Sequence, residues 1–282
     1  MDFSEVVGAE LEEFELYAKK YFNRKPGCAY AGVLRLHESI CYSALSGGKR
    51  FRPTLALLTA QALNQGHPRV LPFALAVEMI HTYSLIHDDL PLMDDDDLRR
   101  GKPTNHKIFG EAMALLAGDA LLTEAFTHLA GAYKAEPTLA VELLQILGQA
   151  AGQRGMVGGQ AIDISPKDNP SEEEIRTQHQ MKTGALIQAS VEGAAVIANA
   201  APAVRKALRQ FGEHLGLAFQ VADDLQDYDP ENEEAASFIA ILGLDKTRLL
   251  LAQTSADALG SLRVAGIENS RLAEMVKFNL HR

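Results

Sequence analysis

The sequence predicts an all-α fold, a single large helical bundle, and three observations carry that expectation. Apolar residues recur at three- and four-residue spacing in segment after segment, as in the run through Val77, Ile80, Ser84, Leu85 and Ile86, whereas strict alternation is scarce. Ala and Leu dominate, Trp is absent and aromatics make up 6% of the chain. No Asn-Gly or Asp-Gly turn joins two β-branched runs, which disfavours a sheet. A length of 282 residues allows one or two domains. No linker rich in Gly, Ser or Pro divides it, so one domain over 1–282 is expected.

The elements follow from the punctuation. The first residues carry Asp2, Glu5, Glu10, Glu12 and Glu13, the wrong charge for a secretory or transit signal and suited to the opening turns of a helix. Breaks at 23–27, 47–48, 64–68, 101–103, 136–137, 165–170 and Pro230 leave helices of roughly ten to twenty-five residues between them. Ser171 followed by Glu174 reads as a capping box that restarts a helix after Pro170. No charge-free run reaches the roughly 20 residues needed to span a bilayer, so no membrane insertion is expected.

Composition narrows the function classes. Hydrophobic residues at 47% and charged residues at 23% are those of a folded globular chain. A net charge of −10 argues against general binding to nucleic acid or to an anionic membrane. Cys28 and Cys41, the two cysteines, are too few for a disulfide framework, which suits a reducing, cytoplasmic setting.

Two acidic clusters end apolar helical runs. The first contains Asp88, Asp89 and Asp94 through Asp97, and the second Asp223, Asp224 and Asp227. Asp223 and Asp227 are four apart, which places both on one helix face. Asp88 and Asp94 are six apart, about 240° around a continuous helix, so they converge only if the helix ends or bends near Pro91. Crowded carboxylates repel, and a hard divalent cation such as Mg²⁺ relieves the repulsion while recruiting phosphate oxygens. Asp95 to Asp97 fit a solvated acidic loop equally well.

Three basic turns accompany the acids. Gly47-Gly48-Lys49-Arg50-Phe51-Arg52-Pro53 joins a flexible turn to cations suited to a diphosphate. Arg99-Arg100-Gly101-Lys102 follows the first acidic cluster, where Arg99 can also pair with Asp95 or Asp96, and Lys182-Thr183-Gly184 lies between helical stretches. Mg²⁺ and phosphate oxyanions together require such a set, and apolar helices can house a hydrocarbon tail.

In order, the segments Gly47–Pro53, Ser84–Gly101, Gly158-Gly159-Gln160-Ala161-Ile162-Asp163, Lys182–Leu186 and Phe219–Asp227 resemble the trans-isoprenyl diphosphate synthases, over about Tyr42 to Asp227. Among these the bacterial members with a C15 product are the most similar in motif form. The resemblance implies an isoprenoid-synthase-type bundle with a central active-site cavity. It implies condensation of isopentenyl diphosphate with dimethylallyl and geranyl diphosphate to (2E,6E)-farnesyl diphosphate, with geranyl or geranylgeranyl diphosphate as alternative products.

The resemblance also implies site roles. Asp88, Asp89, Asp94, Asp223, Asp224 and Asp227 would bind three Mg²⁺ ions, with Asp88, Asp94 and Asp223 the direct ligands. Arg99, Lys182 and Gln220, with Thr183 beside them, would contact the allylic diphosphate, while Gly48, Lys49, Arg52, His81 and Arg100 would hold isopentenyl diphosphate. His81 taken alone also reads as an ordinary core histidine. Ionisation of the allylic C–O bond gives a carbocation that the alkene attacks, and the released pyrophosphate takes the proton, so no protein nucleophile is required. Thr183 and Gln220 would steady the cation.

Tyr83, five residues before Asp88, would sit about 7.5 Å below the metal site along a helix. The resemblance makes it the floor that stops growth at C15, with the small Ser84 beside it, although core packing also explains Tyr83. A homodimer is implied. One departure concerns the stretch after Asp227, where the family carries a mobile loop with Gly and Lys. Here 227–238 is shorter and lacks Lys. A class I terpene cyclase shares the metal chemistry but has no use for a second diphosphate site, and a non-catalytic prenyl-diphosphate-binding homologue is the remaining reading.

Overall fold

The computed structural model describes residues 3–165, 170–229 and 237–281. The fold is all-α, as the spacing predicts. Its helices are α1 (Phe3–Phe22), α2 (Ala31–Ala44), α3 (Phe51–Ala62), α4 (Leu71–Asp88), α5 (Asn105–Phe109), α6 (Glu111–Ala132) and α7 (Pro137–Ala151). Then come α8 (Met156–Asp163), α9 (Glu172–His179), α10 (Ala185–Ile197), α11 (Pro202–Gln226), α12 (Phe238–Leu242), α13 (Leu244–Val264) and α14 (Arg271–His281). A π-helical turn, Gln180–Gly184, joins α9 to α10.

Helices α4 and α10 are largely apolar and lie inside the bundle, as their hydrophobicity requires. Residues Phe73 to Ile80 of α4 are all buried. Gly193 of α10 sits against the Phe73 ring, where a Cβ would overlap the aromatic carbons, so the lack of a side chain permits the contact. One core cluster surrounds α4 with Phe73, Met79, Leu121 and Leu143. A second joins Phe51, Phe211, Leu262 and Met275, and a third, of Val221, Phe238 and Leu251, lies at the C-terminal end of α11.

Local chemistry sets most boundaries. Proline occupies the first turn of α4, α7 and α11, where its missing N–H is not needed. The Ser171 hydroxyl accepts from the Glu174 N–H at 3.3 Å, and the Glu174 carboxylate accepts from the Ser171 N–H at 3.0 Å, completing the expected capping box. The structure also breaks helices at 152–155, 198–201 and 265–270, where none is expected, and at two glycines: Gly110 (φ 88°) and Gly243 (φ 79°) separate α5 from α6 and α12 from α13 by taking left-handed backbone inside otherwise helical sequence. A further departure is a small hairpin, β1 (Leu98–Arg99) paired antiparallel with β2 (Lys102–Pro103). Its two-residue turn uses Arg100 (φ 54°) and Gly101 (φ 73°), both left-handed, which suits the strand twist without the usual Asn or Asp.

One buried ion network ties α1, the turn after α2, and α4 together. Arg50, itself at φ 47°, donates to Glu15 Oε1 at 2.8 Å, to Glu78 Oε1 at 2.8 Å and to the Ala44 carbonyl at 2.7 Å. Its side chain is 1% exposed. Replacing Arg50 by Met leaves the Glu78 carboxylate buried without its partner, and a loss of about 3–5 kcal/mol is expected. Urea unfolding checks this, and a double replacement with Glu78→Leu recovers part of the loss, because the orphaned charge is then gone.

Candidate active site

The site begins where α4 ends. The helix stops at Asp88, and the chain folds back through a tight turn in which the Asp94 N–H donates to the Asp88 carbonyl at 2.8 Å and the Met93 N–H to the Leu90 carbonyl at 2.8 Å. The bend expected near Pro91 is therefore present, and it returns Asp94 to the helix end. Burial, reinforced by Asp94 and opposed by Lys182, pushes the Asp88 carboxyl up to about 6.

The fold places Asp89 elsewhere. Its carboxylate is buried and accepts from Arg99 at 2.5 Å, while Arg99 also reaches Asp96 at 2.9 Å. Asp89 and Arg99 thus form a structural pair on the flank that faces Tyr42 and Thr104. The hairpin is anchored to α2 by the Tyr42 hydroxyl, which donates to the Pro103 carbonyl at 2.7 Å. Neighbouring Asn105 exchanges hydrogen bonds with Ser39 and Ser43.

Arg100, at the hairpin tip, donates to the Gly47 carbonyl, and its guanidinium lies where a Cβ on Gly48 would stand. Gly48 (φ 117°) is therefore required twice, for its backbone and for the space. Arg100, Gly48, Lys49, Arg52, His81, Thr183, Gln220 and Asp223 together line a cavity of about 620 Å³. Burial and the Arg52, Arg100, Arg50 and Arg99 guanidiniums hold His81 well below its ordinary value, so its imidazole is neutral and can donate from only one ring nitrogen. Burial also lowers Arg52, against Glu78 and Asp223, which favour its charge.

Lys182 and Thr183 sit in the π-helical turn, a distortion that spacing did not predict. Two glycines press against it: a Cβ on Gly159 of α8 would overlap the Lys182 backbone nitrogen, and one on Gly216 of α11 would stand 2.8 Å from Gly184 Cα. Asp163, at the end of α8, accepts from the Lys182 ammonium on one oxygen and from the Gln178 amide on the other. Sequence reasoning passed over Asp163, Glu78 and Arg50 as site supports. Their signal was a charge inside an apolar helix, for Glu78, or inside a motif, for Arg50 and Asp163.

Beyond the π turn a second cavity, of about 360 Å³, runs down between α4 and α8. Asp88, Arg52, His81, Lys182 and Thr183 stand at its polar end, and Tyr83, Ser84, Met156, Val157, Ala161 and Ile164 line its walls. Tyr83 is 5% exposed and meets His87 edge-on with ring centroids 5.7 Å apart, while the Ser84 hydroxyl donates to the His81 carbonyl at 3.0 Å. Arg52, His81 and Thr183 belong to both cavities.

The second acidic cluster divides in the same way as the first. Asp223 faces the larger cavity, whereas an Asp224 oxygen accepts from the Phe238 N–H at 2.7 Å and so ties α11 to α12. Asp227 caps α11 and is exposed. The shortened stretch after Asp227 lies largely outside the described residues, at 230–236. Among the described residues no three His, Cys, Asp or Glu side chains converge into a ready cation site. The donor set nonetheless fits Mg²⁺. That ion takes one or two carboxylates and completes its shell with water and phosphate oxygens, and Asp88, with its carboxyl raised and Asp94 alongside, is a group that a cation would relieve.

Residues 34–237 match the polyprenyl synthetase family. The chain is 40% identical to farnesyl diphosphate synthase of Geobacillus stearothermophilus, over 97% of this chain and 95% of that one. It is 39% identical to the large subunit 1 of the heterodimeric geranylgeranyl pyrophosphate synthase of Arabidopsis thaliana, over 86% of this chain and 70% of that one. In three dimensions it superposes on an FPP/GFPP synthase of Zymomonas mobilis with a TM-score of 0.90 at 38% identity, covering 97% of this chain and 98% of the other. With its paired cavities and matched motifs, the chain belongs to the polyprenyl synthetase family and is a prenyltransferase.

Proposed function

We propose that the enzyme joins isopentenyl diphosphate to dimethylallyl and then geranyl diphosphate, giving (2E,6E)-farnesyl diphosphate and pyrophosphate. The observation that carries this reading is the shared wall of Arg52, His81 and Thr183 between two cavities, one rich in guanidinium groups and the other apolar below a polar end that carries Asp88 and Lys182. Two diphosphates can then lie side by side, as a condensation requires and a cyclase does not. Similarity to the farnesyl diphosphate synthase of Geobacillus stearothermophilus supports the C15 product, and the Arabidopsis relative makes geranylgeranyl diphosphate the second reading.

In this mechanism Lys49, Arg52 and Arg100 bind the isopentenyl diphosphate, with the Gly48 backbone beside it and His81 as a neutral donor. Lys182, held by Asp163, and Gln220 contact the allylic diphosphate, and Thr183 turns its hydroxyl oxygen toward the reacting carbon. Asp88, Asp94 and Asp223 would hold Mg²⁺, which when bound neutralises the departing diphosphate as a Lewis acid. Asp89 and Asp224 act behind them, through Arg99 and α12. The apolar walls exclude water from the cation. The spread of these groups from α3 to α11 supports one domain, and exposed Leu115 and Leu116 on α6 support a homodimer. Among the described residues no helix is long and apolar enough to cross a membrane, and a cytoplasmic enzyme fits the two free cysteines.

Incubation with Mg²⁺, isopentenyl diphosphate and geranyl diphosphate is expected to yield farnesyl diphosphate by chromatography. A cyclic hydrocarbon, or no turnover, overturns the proposal. Replacing Tyr83 by Ala removes the floor of the apolar cavity, and products longer than C15 are expected in the same assay. The metal reading is checked by melting curves. A carboxyl raised from 3.8 to about 6 favours the metal-free fold at low pH, and that contribution is lost as pH rises through this window. Mg²⁺ offsets the ionised Asp88, so it should raise Tm more at about pH 7 than at about pH 5.

A further inference from the structure

One residue in the cavity wall has no part in the roles above. Helix α8 carries Gly158-Gly159-Gln160, and Asp163 at its end is occupied with Lys182 and Gln178. Gln160 lines the apolar cavity together with Asp88, Lys182 and Thr183, yet both its amide oxygen and its amide nitrogen are buried with no hydrogen-bond partner. Leaving a buried amide unsatisfied costs about 1–3 kcal/mol, and folded proteins rarely keep one without a use. Its position is not accidental, because α8 comes close enough to the π turn that Gly159 has no room for a Cβ beside Lys182. The amide is therefore held next to the backbone that carries Lys182 and Thr183.

A neutral amide has two properties that suit this place. It adds no negative charge that would repel the diphosphate at the cavity mouth, and its oxygen carries a dipole that favours a positive centre in a dry, low-dielectric space. Resting on the condensation proposed above, we infer that Gln160 is a further catalytic residue, whose amide oxygen faces the allylic carbons and stabilises the positive charge that develops on them. The allylic C–O bond breaks heterolytically and its electron pair leaves with the diphosphate. The alkene pair of isopentenyl diphosphate then forms the new C–C bond, and the proton lost from its C2 passes to the released pyrophosphate. Gln160 exchanges no atoms. It lowers the energy of the state between bond breaking and bond making.

The test compares wild type with Gln160→Leu, which keeps the bulk of the side chain and removes the dipole. Four quantities are read: kcat with geranyl diphosphate, KM for both diphosphates, Tm, and the affinity for two inhibitors. One inhibitor is a geranyl diphosphate analogue with a protonated nitrogen at C3, which mimics the cation. The other is the thiolodiphosphate, which mimics the neutral ground state. The expected result is a fall in kcat of about tenfold or more, an equal loss of affinity for the ammonium analogue, unchanged affinity for the thiolodiphosphate, and a Tm that stays level or rises because an unsatisfied amide is gone. Equal losses for both analogues, an unchanged kcat, or a fall in Tm that accompanies the loss of activity overturns the assignment. A wild-type enzyme that makes no elongated product overturns the condensation itself, whereas an elongating wild type with an equally fast variant overturns only the role of Gln160.

Discussion

The site depends on a carboxylate placed at the end of a helix that is buried almost throughout. Asp88 lies at the C-terminus of α4, where the unsatisfied carbonyls already concentrate partial negative charge. The returning turn adds Asp94, and the surrounding core removes the water that would screen both. Burial first, and then Asp94, disfavour an ionised Asp88 against the pull of Lys182, which is why its carboxyl rises to about 6. The arrangement is costly for the protein alone and is relieved by positive charge. A cation that brings phosphate oxygens with it supplies that charge and the substrate together.

The basic groups follow a complementary logic. Arg50 is paired with Glu15 and Glu78, Arg99 with Asp89 and Asp96, and Lys182 with Asp163. These pairs orient backbone and neighbours: Arg50 holds the turn that carries Gly48 and Lys49, and Arg99 fixes the hairpin that presents Arg100. Arg52 and Arg100 are different, since both line the larger cavity with their charge disfavoured by burial. One class of cation is oriented by a structural acid, Lys182 among them even as it reaches the allylic diphosphate of the function proposed above, and a second class has no such acid. Arg52 Nε, buried and lacking a partner, marks the second class most clearly.

Much of this was legible in the residues, for identifiable reasons. Helix starts marked by Pro137 and the Ser171–Glu174 box are written in local chemistry, and so is the termination of α4 ahead of Pro91, whereas the starts at Pro72 and Pro202 lie outside the expected breaks. Features that depend on contacts between distant segments were not. The π turn at Lys182 is set by Gly159 and Gly216 from two other helices, and nothing in Gln180–Gly184 itself announces it. The hairpin escaped because Arg100 takes the left-handed position that Asn or Asp usually fills. The aspartate motifs show which residues are acidic but not which of them a guanidinium or a backbone N–H claims first, so the separation of Asp89 and Asp224 from their neighbours appears only in three dimensions.

The same helix that ends at Asp88 also lines the cavity beneath it. Because α4 is buried, each turn toward its N-terminus moves about 5.4 Å deeper, so on the function proposed above the side chains one and two turns below Asp88 limit how far a hydrocarbon chain extends. Tyr83 stands at that depth with its ring edge-on to His87. The wall does not rest on α4 alone. The His87 ring nitrogen lies 3.0 Å from the Leu115 carbonyl of α6, and its imidazole fills the space over Gly118 where a Cβ would otherwise sit. A residue larger than glycine at 118 would displace the His87 imidazole, which lines the cavity and packs edge-on with Tyr83. The wall around Tyr83 is thus a joint property of α4 and α6, and on the function proposed above the packing between these helices bears on product length together with the aromatic ring.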